Sequence, residues 1–232
     1  MADPVFGKDD PRLKTPVKIA AQETLERSAL TRSAAQTGVS FSRLENTRLE
    51  AEAVLKLVPK GQRQVALDFA ANLSNATSPE LAQYRMVHFA THGLLNSETP
   101  ELSGVVLSLV NEKGEAENRF LRLQEIFNLN LPAELVVLSA CKTGLGKDIQ
   151  GEGLVGLTRG FMYAGAPRVV VSLWNVDDRA TALLMSEFYR GILEKQLTPA
   201  VALRQAQQAL MQQPEYQAPY YWAAFTLQGE WK

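Results

Sequence analysis

The stretch ELVVLSAC, residues 134–141, decides the fold. It carries no polar alternation from Leu135 to Leu138, the pattern of a strand covered on both faces, as in a parallel sheet flanked by helices. The run MVHFATH, residues 86–92, reads the same way. Each is followed at once by a glycine-containing turn, KTGLG after Cys141 and GLL after His92. In an open parallel sheet the carboxyl ends of the strands are where chemistry is placed. A thiol and an imidazole delivered to one sheet edge are the minimum parts of a cysteine nucleophile and its base.

Composition bounds the rest. The chain has 232 residues, enough for one large α/β domain or two small ones, and 46% of them are apolar, so a well-buried core is expected. A formal charge of −1 with the signs interleaved gives no basic stripe for nucleic acid or a membrane surface. The single cysteine cannot close an internal disulfide, which fits a reducing cytoplasm. No apolar stretch approaches the roughly 18 residues of a membrane span, and the first residues do not form a signal peptide. The triplet Asn75-Ala76-Thr77 carries little weight without an export signal.

Along the chain, residues 1–42 read as a loosely ordered segment, polar and proline-containing from residue 7 onward. Residues 1–6 have the character of a strand tail whose beginning is missing, as in a piece of a longer polypeptide. A helix is predicted over 43–57, with Leu44, Leu49, Ala51 and Leu55 on its apolar side and Pro59 to Gly61 stopping it. Apolar runs then recur at 65–69, 86–92, 104–110, 135–141, 169–174 and 222–227. Helical stretches at 79–84, 123–129, 154–164, 178–193 and 199–211 fall between several of them. Ser78-Pro79 and Thr198-Pro199 supply start signals. Strands alternating with helices predict an α/β three-layer sandwich around a mostly parallel central sheet of about six strands. The run 104–110, followed by NEKGE, is also compatible with a hairpin.

Cys141 has two readings. Free cysteines are commonly buried filler, yet this one ends a strand before a glycine-rich turn, where a side chain reaches solvent. A thiol with pKa near 8.5 is only about 3% thiolate at pH 7, and pairing with an imidazolium can ionise it fully. His88 and His92 would stand about 13 Å apart on one strand face, too far to share a metal, so no metal site is expected. His88 reads as a packing residue. His92, followed by Gly93, reads as the base. The backbone N–H groups of Gly93 and Cys141 are the candidates for an oxyanion hole.

Two phosphate-binding patterns lie close by. GLGKD lacks the hydroxyl residue and first glycine of a P-loop. Gly151-Glu152-Gly153-Leu154-Val155-Gly156 is a literal G-x-G-x-x-G, but it stands about nine residues beyond Cys141 instead of directly after a strand. Past the run 169–174, Asp177 and Asp178 are candidate helix caps. Alternatively one of them lines a pocket for a basic side chain, with Trp174 as its apolar wall; Glu152 carries the same ambiguity.

With these residues in view, the chain resembles a CHAT domain, the caspase-like module of the caspase/separase clan of cysteine peptidases that is often joined to TPR repeats. The strings that carry the resemblance are VHFATHG, ELSGVVLSL, VVLSACKTGLG, GEGLVGLTRGFMYAGAPRVVVSLWNVDD and YYWAAFTLQGEW, spanning about 84–231. The resemblance implies a caspase-hemoglobinase-like fold over 43–232, with His92 and Cys141 as the catalytic dyad of a cysteine endopeptidase. It also implies a protein or peptide substrate bound edge-on along 169–174, no cofactor, and regulation by a TPR-containing region or partner. The alternatives are a catalytically silent scaffold of the same fold and, from the glycine string, a nucleotide-binding protein.

Overall fold

Strand β5, Leu135–Ser139, is buried at every position and has a neighbour on each side. The computed structural model describes residues 1–7, 10–14, 41–95, 103–117, 120–139, 152–174 and 176–231, with the backbone alone at 152–154. The strands are β1 Met86–Ala90, β2 Gly93–Leu94, β3 Gly104–Val105, β4 Leu121–Arg122, β5, β6 Arg168–Ser172 and β7 Phe225–Gly229. The α-helices are α1 Asn46–Lys56, α2 Leu73–Ala76, α3 Leu123–Phe127, α4 Glu152–Tyr163, α5 Asp178–Leu193, α6 Pro199–Met211 and α7 Pro219–Trp222.

The central sheet runs β1-β5-β6-β7, with β1, β5 and β6 parallel and β7 antiparallel at the edge. Alternation along each strand sends its side chains to opposite faces. Val87, Phe89, Val136, Leu138, Val169 and Val171 meet Leu157 and Phe161 of α4 and Ile126 of α3 on one face. Leu135, Val137 and Val170 meet Leu184 and Phe188 of α5 and Ala206 and Leu210 of α6 on the other. This is the expected α/β sandwich.

The central sheet has four strands among the described residues, against about six expected. Two of the apolar runs go elsewhere. Residues 65–69 make a single bridge at Leu67 and then a 3₁₀ turn at Asp68–Ala70, where Asp68 has φ 52°. Residues 104–110 contribute only β3, which pairs antiparallel with β2 and β4 in a second, small sheet. Beyond it, Val110 bridges Ala116 across the NEKGE turn, as in a hairpin. Both runs are apolar because they are buried, and burial does not require a place in the main ladder.

Helix α1 corrects another expectation. Leu49 is 55% exposed, whereas Thr47 and Glu50 are buried. Polar side chains face inward here because each finds a partner: Thr47 Oγ1 accepts from the Asp3 N–H at 3.1 Å, and Glu50 takes the Ser139 hydroxyl. Val54 and Leu57 supply the apolar contact with the core.

Residues 1–6 lie beside β1. The Ala90 N–H donates to the Met1 carbonyl at 2.8 Å, and Ala2 bridges both Ala90 and Leu67 in parallel sense. Asp3 is fully buried and accepts from Arg43 at 2.9 and 2.8 Å and from Arg48 at 2.9 Å. Arg12 joins Asp3, Asp10 and Asp68. This ion cluster pins the segment and places Phe6 over the carboxyl end of β1.

Candidate active site

β1 and β5 run side by side in a register from Met86↔Leu135 to Ala90↔Ser139. The Thr91 N–H then donates to the Ser139 carbonyl at 3.2 Å, extending the pairing past the last matched residues. His92 therefore projects from the carboxyl end of β1, as its position in sequence implied. Cys141 lies outside the described residues, as do Gly151 and residues 140–150.

His92 is 1% exposed. Its ring clusters with those of Phe6 and Phe41, at centroid distances of 4.9 and 5.6 Å, and the two phenylalanines meet each other at 6.2 Å. Nε2 lies 2.7 Å from the Ser42 carbonyl oxygen. A carbonyl only accepts, so Nε2 carries the proton and donates, and the lone pair of the neutral ring sits on Nδ1. A histidine held in one tautomer by a backbone carbonyl presents a defined basic nitrogen. Thr91, His92, Gly93 and Ser139 line a small cavity above Leu138 and Leu157. Gly93 sits in β2 opposite Val105, so the candidate oxyanion residue is adjacent to the imidazole.

The remaining candidates occupy the next strand end. Trp174 follows β6, half-buried, with Nε1 donating to the Tyr220 carbonyl at 3.1 Å. Asp177 caps α5, its Oδ1 accepting from the N–H groups of Arg179 and Ala180 at 3.1 and 2.9 Å. Asp178 is half-buried in the first turn of α5, and burial raises its carboxyl above the usual range. A bond from Asn46 opposes that rise, and the charges of Asp177 and Glu50 add to it. Glu152 opens α4, and only its backbone is described. The structure thus brings His92, Gly93 and Ser139 to one small cavity, while Trp174 bonds to Tyr220 and Asp177 caps its helix.

Edge-on substrate binding along 169–174 requires a correction. β6 is paired on both sides, with β5 through Val171 and with β7 through Ser172, and the Leu173 N–H donates to Ala224. From Val169 to Val171 both edges of the strand are therefore occupied. At the end of the glycine string, a Cβ on Gly156 would meet Leu123 at an ordinary 3.8 Å, whereas at Gly160, one turn beyond the string, it would stand 3.0 Å from Cγ2 of Ile126.

Sequence reasoning missed Ser42, Phe6, Phe41 and Glu50. Ser42 contributes a carbonyl, which every residue has, so no residue type signals it. Phe6 and Phe41 lie within the segment read as loosely ordered.

His88 packs as expected. Its Nδ1 lies 2.9 Å from the Tyr189 hydroxyl, and Nε2 lies 2.9 Å from Glu50 Oε1, bent off the ring N–H direction. Among the described residues no group of three or more metal-ligating side chains occurs, and no helix is long and apolar enough to cross a membrane.

The family model described as CHAT domain matches residues 2–230. Tetratricopeptide repeat protein 28 of Mus musculus is 35% identical over 109 residues, 47% of this chain and 4% of that protein. The Homo sapiens protein of the same name is 34% identical over the same share. The chain therefore spans a small part of the length of these relatives.

Proposed function

Because the chain belongs to the CHAT domain family, a caspase-like family, we propose that it is a cysteine endopeptidase working through His92 and Cys141. One observation carries the reading. The β1–β5 register ends at Ala90↔Ser139, and in sequence His92 and Cys141 each follow these residues by two positions. Continuation of the register would make the two residues direct neighbours.

In this reading Nδ1 of His92 takes the proton from the Cys141 thiol. The thiolate attacks the substrate carbonyl carbon, and the N–H groups of Gly93 and Cys141 hold the resulting oxyanion. The C–N bond breaks as His92 returns its proton to the leaving amine, leaving a thioester. His92 then deprotonates a water, which releases the acid and regenerates the thiol. The Ser42 carbonyl keeps the ring in the required tautomer and stabilises the imidazolium. Of Glu152, Asp177 and Asp178, one would line a pocket that favours a basic side chain before the cut, with Trp174 as its apolar wall. Since the relatives are named for tetratricopeptide repeats, a TPR region is the natural regulatory partner. A cytoplasmic setting suits the free thiol.

The second reading, a silent scaffold, draws on the burial of His92 beside Phe6 and Phe41. Iodoacetamide labelling of Cys141 across pH separates the two. A peptidase retains thiolate reactivity below pH 6 and loses it in His92→Ala. A scaffold labels along an ordinary thiol titration near pH 8.5, or not at all while folded.

A further inference from the structure

The stretch 42–50 touches both strands that carry the proposed dyad. At its start the Ser42 carbonyl accepts from His92 at 2.7 Å. On α1, Glu50 Oε2 accepts from the Ser139 hydroxyl at 2.9 Å, with both residues 1% exposed. Ser139 is the last residue of β5 and stands two residues before Cys141.

The other Glu50 oxygen faces His88 at 2.9 Å, and His88 in turn meets Tyr189. Burial, reinforced by the Glu50 charge, pushes the Tyr189 phenol up. It therefore remains a hydroxyl and can donate to Nδ1 of His88, which leaves the Nε2 proton on the side of Glu50. The groups facing Glu50 are thus Ser139 from β5, His88 from β1, and Tyr189 and Asp178 from α5, with the Met1 amino group near His88. A carboxylate is costly to bury unless it is bonded on all sides. An apolar residue would fill this helix position without that cost, so packing alone does not account for it.

We propose that Glu50 is a positioning residue for the nucleophile. Its carboxylate holds the end of β5 while the Ser42 carbonyl holds His92, so one short segment clamps both strand ends at the spacing that the dyad needs. The inference rests on the dyad reading above and specifies what keeps the sulfur near the imidazole.

The test is the pH profile of Cys141 carbamidomethylation in wild type, Glu50→Ala, Glu50→Gln and Ser139→Ala, with thermal unfolding of each. Removing a nearby negative charge makes a thiolate easier to form, so a purely electrostatic role for Glu50 moves the profile to lower pH in both Glu50 variants. Loss of the clamp moves it the other way. In the dyad the thiol pKa lies below about 6, so at pH 6 the sulfur is largely thiolate; a rise of that pKa to about 7 leaves roughly a tenth of it ionised and lowers labelling about tenfold. The expected result is a tenfold or greater loss at pH 6 in Glu50→Ala, a smaller loss in Ser139→Ala, and near wild-type rates in Glu50→Gln, which keeps an acceptor for the hydroxyl. If Glu50→Ala does not fold, Ser139→Ala decides alone, since it deletes one hydroxyl and leaves the charge in place. Wild-type profiles in the folded variants, or a shift to lower pH, overturn the clamp and leave the dyad standing. An ordinary thiol titration in the wild type itself sinks the dyad, and the clamp with it.

Discussion

Asp3 and Arg43 form a two-bonded carboxylate–guanidinium pair, at 2.9 and 2.8 Å, with the carboxylate fully buried. Arg48 and Arg12 approach the same acid, so residues 1–6 are tied to α1 by charge as well as by their bridges to β1. Asp3→Ala leaves three guanidiniums without their shared buried partner. We expect it to destabilise the fold by about 3–5 kcal/mol, read as a lower urea midpoint. Arg43→Ala should cost less, because Arg48 and Arg12 still neutralise Asp3. Equal losses in the two variants would contradict this account.

The acids around this cluster set an acid limit on stability. Burial works to raise Asp10 and Asp68, but bonds from Arg12 to Asp10, and from Arg48 and Arg12 to Asp68, outweigh it and hold both below the usual carboxylate range. A carboxylate depressed in the folded state stabilises above its unfolded pKa of about 4 and loses that contribution as pH falls through the folded value. The contribution of these two acids should therefore be full above about pH 5, and urea midpoints should fall below about pH 4 as it is lost. Asp68→Asn should have a shallower acid decline than wild type; an unchanged slope would contradict the assignment.

Gly229 ends β7 with φ +97°, opposite Arg168. A Cβ at this position would overlap the Pro167 carbonyl oxygen. Gly229→Ala combines overpacking with left-handed strain, and a loss of about 1–3 kcal/mol or more is expected. Gly61→Ala meets nothing nearby and should stay within about 0.5 kcal/mol of wild type. Thermal melts of the two proteins provide the comparison.

Asp177 tests whether its place at the strand end is structural. As the cap of α5, its replacement by alanine should cost about 1 kcal/mol, with Asp177→Asn close to wild type. The same two variants, offered peptides with lysine or alanine before the cut, test the substrate role. A cap alone changes stability and leaves that preference where it was.

Much of the fold was legible because apolar periodicity reports burial directly. The helices at 178–193 and 199–211 coincide with their predicted bounds, since each begins at a start signal and carries an apolar face. Strands β1 and β5 fell within the predicted runs for the same reason. The run 65–69 and the apolar side of α1 were misread because local pattern cannot tell which surface a segment meets. Leu49 faces out and Glu50 faces in because Ser139 and His88, some 90 and 40 residues away in the chain, supply the polar partners.

The sequence by itself determined the layered α/β class, the family, and the residue types able to act as base and nucleophile, because these depend on side-chain chemistry and short-range spacing. Only the tertiary structure decided that a backbone carbonyl at Ser42 fixes the His92 tautomer, that two phenylalanines cluster with the ring, and that Val169 to Val171 of β6 are paired on both sides. Those features arise from groups brought together across the chain, and a carbonyl or a shared strand edge leaves no mark on residue identity.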